Sequence, residues 1–307
     1  MTIFSIGTRG SPLALAQAAL TAQALARATG VSQLHFPQNI IQTSGDMIQD
    51  RALSEVGGKG LFTKEIDEAQ LNGKIAIAVH SGKDLPTRLP DGLIVAGYLP
   101  RADVRDAFIS ADNVILSDIP AGACIGTASL RRKAQLLQLR PDIHVELIRG
   151  NVQTRINKVR SGEYAGTLLA FAGLERLNLT HELTEILDIK QFLPAVAQGA
   201  IALVTRVNDT DTIKLVDQIN HLTTQQAVEA ERAFLHELDG SCRTPIAGHA
   251  IVTGETLTLR VCVMSNCGKR AIQDGWSGDI AESKMACSEL GKNIRNHLPA
   301  GFFDGRT

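Results

Sequence analysis

The sequence predicts an α/β fold with mixed sheets over residues 1–220, followed by a smaller α+β unit over residues 221–307. Two observations carry this. Short apolar runs of strand length alternate with amphipathic runs of helix length through the first part, which calls for parallel or mixed sheets with helices on both faces. From Gln226 the order changes to helix, alternating strand, hairpin turn and helix.

In chain order, residues 3–6 read as the first strand. Ser11-Pro12 then reads as an N-cap with proline at the first helical position, opening a helix that Gly30 closes. Further strands are expected at residues 39–43, 75–79, 93–98 and 107–110, then at 124–126, 145–149 and 167–170. Helices should begin near Ser129, Asn151 and Gly173. The C-terminal unit should contain a helix at 227–238, a strand at 257–264, a turn at 266–268 and a last helix at 281–297.

With 307 residues, 44% hydrophobic and 21% charged, the chain can bury more than one core, and disorder is a poor description of it. No run approaches the ~20 apolar residues of a membrane span. The N-terminal segment reads as strand and helix rather than a signal peptide, so a cytoplasmic protein is expected. A formal net charge of −1 and the absence of a helix-turn-helix or basic arm argue against nucleic acid as a partner. Five scattered cysteines without a CxxC pair argue against both a disulfide framework and a zinc site, and no metal is expected.

Charge is nevertheless concentrated. Between Gly126 and Arg176 stand nine Lys/Arg against four acids, and arginine dominates, the residue suited to planar carboxylates. Four loops at expected strand ends carry Ser, Thr or Asn beside a cation: Thr8 to Ser11, His80 to Asp84, Thr127 to Arg132, and Arg149 to Asn151. In open sheets, ligands sit at such places. Arg131 and Arg132 fall in a first helical turn, where cations oppose the helix dipole, so an anion beside them is the better account. Gly57-Gly58-Lys59 lacks the spacing of a phosphate loop and reads as a mobile lid. His80, a lone histidine at a strand end, reads as hydrogen-bonded structure without a catalytic role.

Nine segments together resemble the porphobilinogen deaminase family: IGTRGSPLALAQ (6–17), VGGKGLFTKEID (56–67), AVHSGKDLP (78–86), RDAF (105–108), IGTASLRRKAQL (125–136), RGNVQTR (149–155), AGLERL (172–177), LPAVAQGAIAL (193–203) and AERAFLHELDGSCRTPIAG (230–248). They occur in family order with family-like spacing.

The resemblance implies three domains: residues 1–100 with 198–220, residues 101–197, and residues 221–307. The first two would resemble type II periplasmic anion-binding proteins. It implies a dipyrromethane cofactor held by thioether to Cys242, and porphobilinogen as substrate. Four porphobilinogens would be joined head to tail, with loss of ammonia, to give hydroxymethylbilane for tetrapyrrole and heme biosynthesis.

It further implies Asp84 as the catalytic acid group, among cations that keep it ionised beside the cationic azafulvene formed on deamination. Lys83, Ser81, Thr127, Ser129, Arg131, Arg132 and Arg155 would hold the cofactor. Arg9, Ser11, Arg149 and Arg176 would bind substrate, under a lid at Gly57, Gly58 and Lys59. A monomer is the expected state. Gly82, Glu55 and Ser241 depart from the family pattern. The main alternative is a non-enzymatic binder of a small carboxylate or oxyanion on the same clamp fold.

Overall fold

The computed structural model describes residues 3–47, 62–238 and 244–303. The chain forms two compact units, residues 1–102 with 199–226, and residues 103–198 with 227–307.

The first unit begins with β1 (Ile6–Thr8), α1 (Pro12–Thr29), β2 (Gln38–Ile40) and α2 (Ser44–Met47), and continues through α3 (Lys64–Leu71), β3 (Ile77–Ser81) and β4 (Leu93–Tyr98). The second contributes β5 (Asp106–Ser110), β6 (Cys124–Gly126), α4 (Leu130–Leu139), β7 (His144–Glu146), α5 (Val152–Arg160), β8 (Gly166–Ala170), α6 (Phe171–Arg176) and β9 (Glu185–Ile186). The chain then returns with β10 (Ile201–Arg206) and α7 (Thr210–Asp217), followed by α8 (Leu222–Glu237), β11 (Ile246–Thr253), β12 (Thr256–Met264), β13 (Ala271–Asp279) and α9 (Ile280–His297).

The two larger sheets have the same plan. One has the order β2-β1-β3-β10-β4, the other β7-β6-β8-β5-β9. In each, two pairings are parallel and two antiparallel, so one strand, β10 or β5, runs against the other four. Mixed sheets with covering helices are the expected class. Residues 201–206 were not read as a strand, yet β10 lies inside its sheet, between β3 and β4, and pairs Ala202 with both His80 and Tyr98.

Local chemistry explains the elements that position the site. Ser11 caps α1, its Oγ accepting the Ala14 N–H at 3.3 Å, with Pro12 just inside. Gly30 ends that helix in the left-handed region at φ 71°, where glycine carries no Cβ penalty. The first strand starts at Ile6 rather than residue 3, and Ile3 is exposed.

Both faces of the second sheet are buried, so alternate residues of β5 feed different cores. Phe108 packs with Ile125, Leu136 and Phe192, whereas Ala107 and Ile109 pack with Ile148, Ile156 and Leu174. The C-terminal sheet, β11-β12-β13, is an antiparallel meander. Leu257, Leu259, Val261 and Val263 of β12 face Phe234 and Cys287, while Cys262 and Met264 share a cluster with Ala134 of α4 and Leu193. β13 was not foreseen, because its AIQDGWSGD sequence is polar and holds two glycines.

Candidate active-site residues on the two units

On the first unit, β1 ends at Thr8 and α1 begins at Pro12, leaving Arg9 and Ser11 on the turn between them. The neighbouring strand β3 ends at Ser81, and a 3₁₀ turn over Gly82–Asp84 redirects the chain. Arg9, Ser11, Gln17, Phe62, His80, Ser81 and Asp84 thereby line one pocket. Gly82 is buried and its N–H donates to the Ala200 carbonyl at 2.9 Å, which ties the Lys83-Asp84 turn to β10. The Arg9 guanidinium lies over the Phe62 ring, 4.1 Å from its centroid. Gln17 and Ser81 bond to each other, with the amide donating at 2.9 Å.

His80 differs from its sequence reading. It is buried, but its Nε2 has no hydrogen-bond partner among the described residues. Burial, helped by the charge of Arg9, pushes its pKa down to about 4, so the ring is neutral.

On the second unit, Ser129 caps α4, its Oγ accepting the Arg132 N–H at 3.4 Å, and Thr127 Oγ1 accepts the Ser129 N–H at 3.2 Å. Asn151 caps α5 in the same way, accepting the Thr154 N–H at 2.9 Å. Gly150 precedes it at φ 113°, where an added Cβ would stand 2.6 Å from Thr154 Cγ2, so the turn between Arg149 and Asn151 requires glycine. Arg155 turns back to donate from Nε to the Gly150 carbonyl at 2.9 Å. Arg176, in the last turn of α6, is half-buried, and burial works against its charge.

Arg131 and Arg132 required an anion, and the chain supplies one. Both are buried and both bind Asp106, Arg131 through Nη1 at 2.8 Å and Arg132 through Nη2 at 2.6 Å. Burial alone would raise the Asp106 pKa, but the two guanidiniums hold its carboxyl well below the usual aspartate range. Two cations against one carboxylate leave a surplus positive charge, and Arg131 Nε is buried with no partner among the described residues. The N-terminal turn of α4 is thus neither solvated nor dependent solely on a ligand for its counter-charge.

Asp106 was missed as a site residue although it lies in the quoted RDAF segment, because nothing local marks a strand-start aspartate as the partner of arginines 25 residues on. Gln17, Phe62 and Gln198, which donates to Asp106 at 3.1 Å, carry no sequence signal of their role. Cys242, Gly57, Gly58 and Lys59, with Glu55 and Ser241, lie outside the described residues. Among the described residues Cys124, Cys262, Cys267 and Cys287 are free thiols, and no helix is long and apolar enough to cross a membrane.

Comparison with known proteins shows the family of the chain. The profile described as "Porphobilinogen deaminase, dipyromethane cofactor binding domain" matches residues 4–214, and "Porphobilinogen deaminase, C-terminal domain" matches residues 225–300. The porphobilinogen deaminases of Nitrobacter hamburgensis and Nitrobacter winogradskyi are each 50% identical over 299 residues, covering 97% of this chain and 95% of theirs. Among solved structures, the periplasmic aliphatic sulphonate binding protein SsuA from Escherichia coli aligns with a TM-score of 0.43 at 13% identity, covering 77% of this chain and 74% of that one. The chain belongs to the porphobilinogen deaminase family: it is an enzyme with a dipyrromethane-binding domain that converts porphobilinogen to hydroxymethylbilane.

Proposed function

We propose that this chain carries out the family reaction with Cys242 as the thioether anchor of dipyrromethane, Asp84 as the ionised acid, and its arginines as holders of carboxylates. The observation that supports this most is the Asp106 cluster. A buried surplus of positive charge and an unpartnered guanidinium N–H are poor features for a core, but they suit a ligand bearing acetate and propionate groups. The donor chemistry therefore fits the cofactor.

In this reading Arg131, Arg132 and Arg155, with Lys83, Ser81, Thr127 and Ser129, hold the cofactor's acidic side chains. Arg9, Ser11, Arg149 and Arg176 hold those of the substrate. Bound dipyrromethane supplies the nucleophilic pyrrole carbon that begins the chain. Asp84 stabilises the positive charge that develops on the substrate pyrrole as its aminomethyl group departs as ammonia, and it takes part in proton handling. Gly57, Gly58 and Lys59 act as a lid, and residues 221–307 form the cofactor-bearing third domain of a cytoplasmic monomer. Family membership favours this enzyme over the oxyanion binder.

Intact-mass measurement of the purified protein tests the anchor. The wild-type chain should carry a two-pyrrole adduct and consume porphobilinogen, and Cys242→Ser should do neither. An adduct that survives Cys242→Ser would overturn the assignment.

A further inference from the structure

We propose that His80 is a substrate-binding residue, whose imidazole donates a hydrogen bond to the acidic side chain that Arg9 draws into the first unit's pocket. The inference rests on the reading of that pocket as a porphobilinogen site.

His80 occupies the last-but-one position of β3, and its backbone is fixed by antiparallel pairing with Ala202. The residue is 5% exposed and lines the same pocket as Arg9, Ser11, Gln17 and Asp84. Three of the polar neighbours there are already engaged within the chain. Ser11 caps α1, and Gln17 and Ser81 hold each other. Only His80, among these, leaves a ring nitrogen buried with no partner among the described residues. Buried polar atoms are nearly always paired, so an orphan at the wall of a pocket marks a partner that arrives with a ligand.

The kind of partner follows from charge. Burial and the Arg9 guanidinium keep the ring neutral, so it offers an N–H without a second positive charge. That matters beside Asp84. An imidazolium in this pocket would compete with the substrate's own developing cation for the carboxylate, whereas a neutral ring leaves the carboxylate to the substrate. Arg9 then supplies the charge that attracts an acetate or propionate, and His80 Nε2–H supplies direction.

His80→Phe removes the donor while keeping an aromatic ring, and His80→Gln restores an N–H at a similar reach. Both should fold, with melting temperatures near wild type, and both should carry the two-pyrrole adduct. The Phe variant should raise KM for porphobilinogen about tenfold with kcat within about twofold, and the Gln variant should recover most of that loss. In ¹⁵N-histidine-labelled Asp84→Ala holoenzyme, which holds substrate without turning it over, porphobilinogen should shift the His80 Nε2–H resonance. Wild-type KM in His80→Phe, equal loss in both variants, or an unmoved resonance would overturn the inference. A failure of the underlying reading shows separately, as a wild-type protein that does not consume porphobilinogen.

Discussion

Arg132 grips one carboxylate oxygen of Asp106 with two of its nitrogens, Nε at 3.0 Å and Nη2 at 2.6 Å. The other oxygen accepts Arg131 Nη1 at 2.8 Å. The arginines also donate outward, Arg132 to the Leu168 carbonyl at 2.9 Å and Arg131 to the Leu193 carbonyl at 2.8 Å. One buried ionic cluster therefore ties α4 to β5, to β8 and to the segment that leads toward β10. Taking three charges out of water is costly, so its value lies in fixing geometry rather than in net stability.

That cost predicts the effect of Asp106→Asn. Two buried guanidiniums would lose their shared counter-charge, and breaking a buried pair from one side costs about 3–5 kcal/mol. Denaturant melts at pH 7 should show a loss of this size, together with a lower fraction of chains bearing the two-pyrrole adduct. The pH dependence has a definite sign. The folded carboxyl is depressed below its ordinary value, so its contribution is fully present above the usual aspartate range and fades only as pH falls well below it. Between pH 5 and 8 the difference between wild type and variant should be flat. A difference that disappears within that window would contradict the assignment.

Asp84→Ala separates chemistry from loading. Asp84 stands on the 3₁₀ turn at the pocket wall and forms no cap or ion pair among the described residues, so its removal should leave the melting temperature within a few degrees of wild type. Turnover of porphobilinogen should be abolished while the adduct mass stays unchanged. Near-normal turnover would refute the role given to this residue.

How much of this was legible depends on how far each signal reaches along the chain. Ser11-Pro12 and Gly30, or Ser129 and Asn151, announce helix ends because the capping groups lie within three or four residues of what they cap. β4 and β6 were bounded correctly from apolar runs between turn residues. The interior place of β10 could not be read, since it depends on pairing with His80, more than a hundred residues earlier. Likewise the arginines advertised a need for an anion, but not that Asp106 answers part of it. The orphaned nitrogen of His80 is a fact of packing alone. A strand-end histidine with a partner and one without have the same sequence.

Asp67 gives a pH signature of its own in the first unit. It lies on α3, and burial, with the nearby carboxylates of Glu65 and Glu68, pushes its pKa up to about 6, while its Oδ1 has no partner among the described residues. A raised acid is neutral in both states below the unfolded value of 3.8, and its penalty grows as pH rises from there through the folded value of about 6. Above that the penalty is constant. Asp67→Asn keeps the shape and removes the titration, so it should raise the melting temperature at pH 7.5 and leave it nearly unchanged at pH 4. A gain that is the same at both pH values would mean that packing, not ionisation, governs this position.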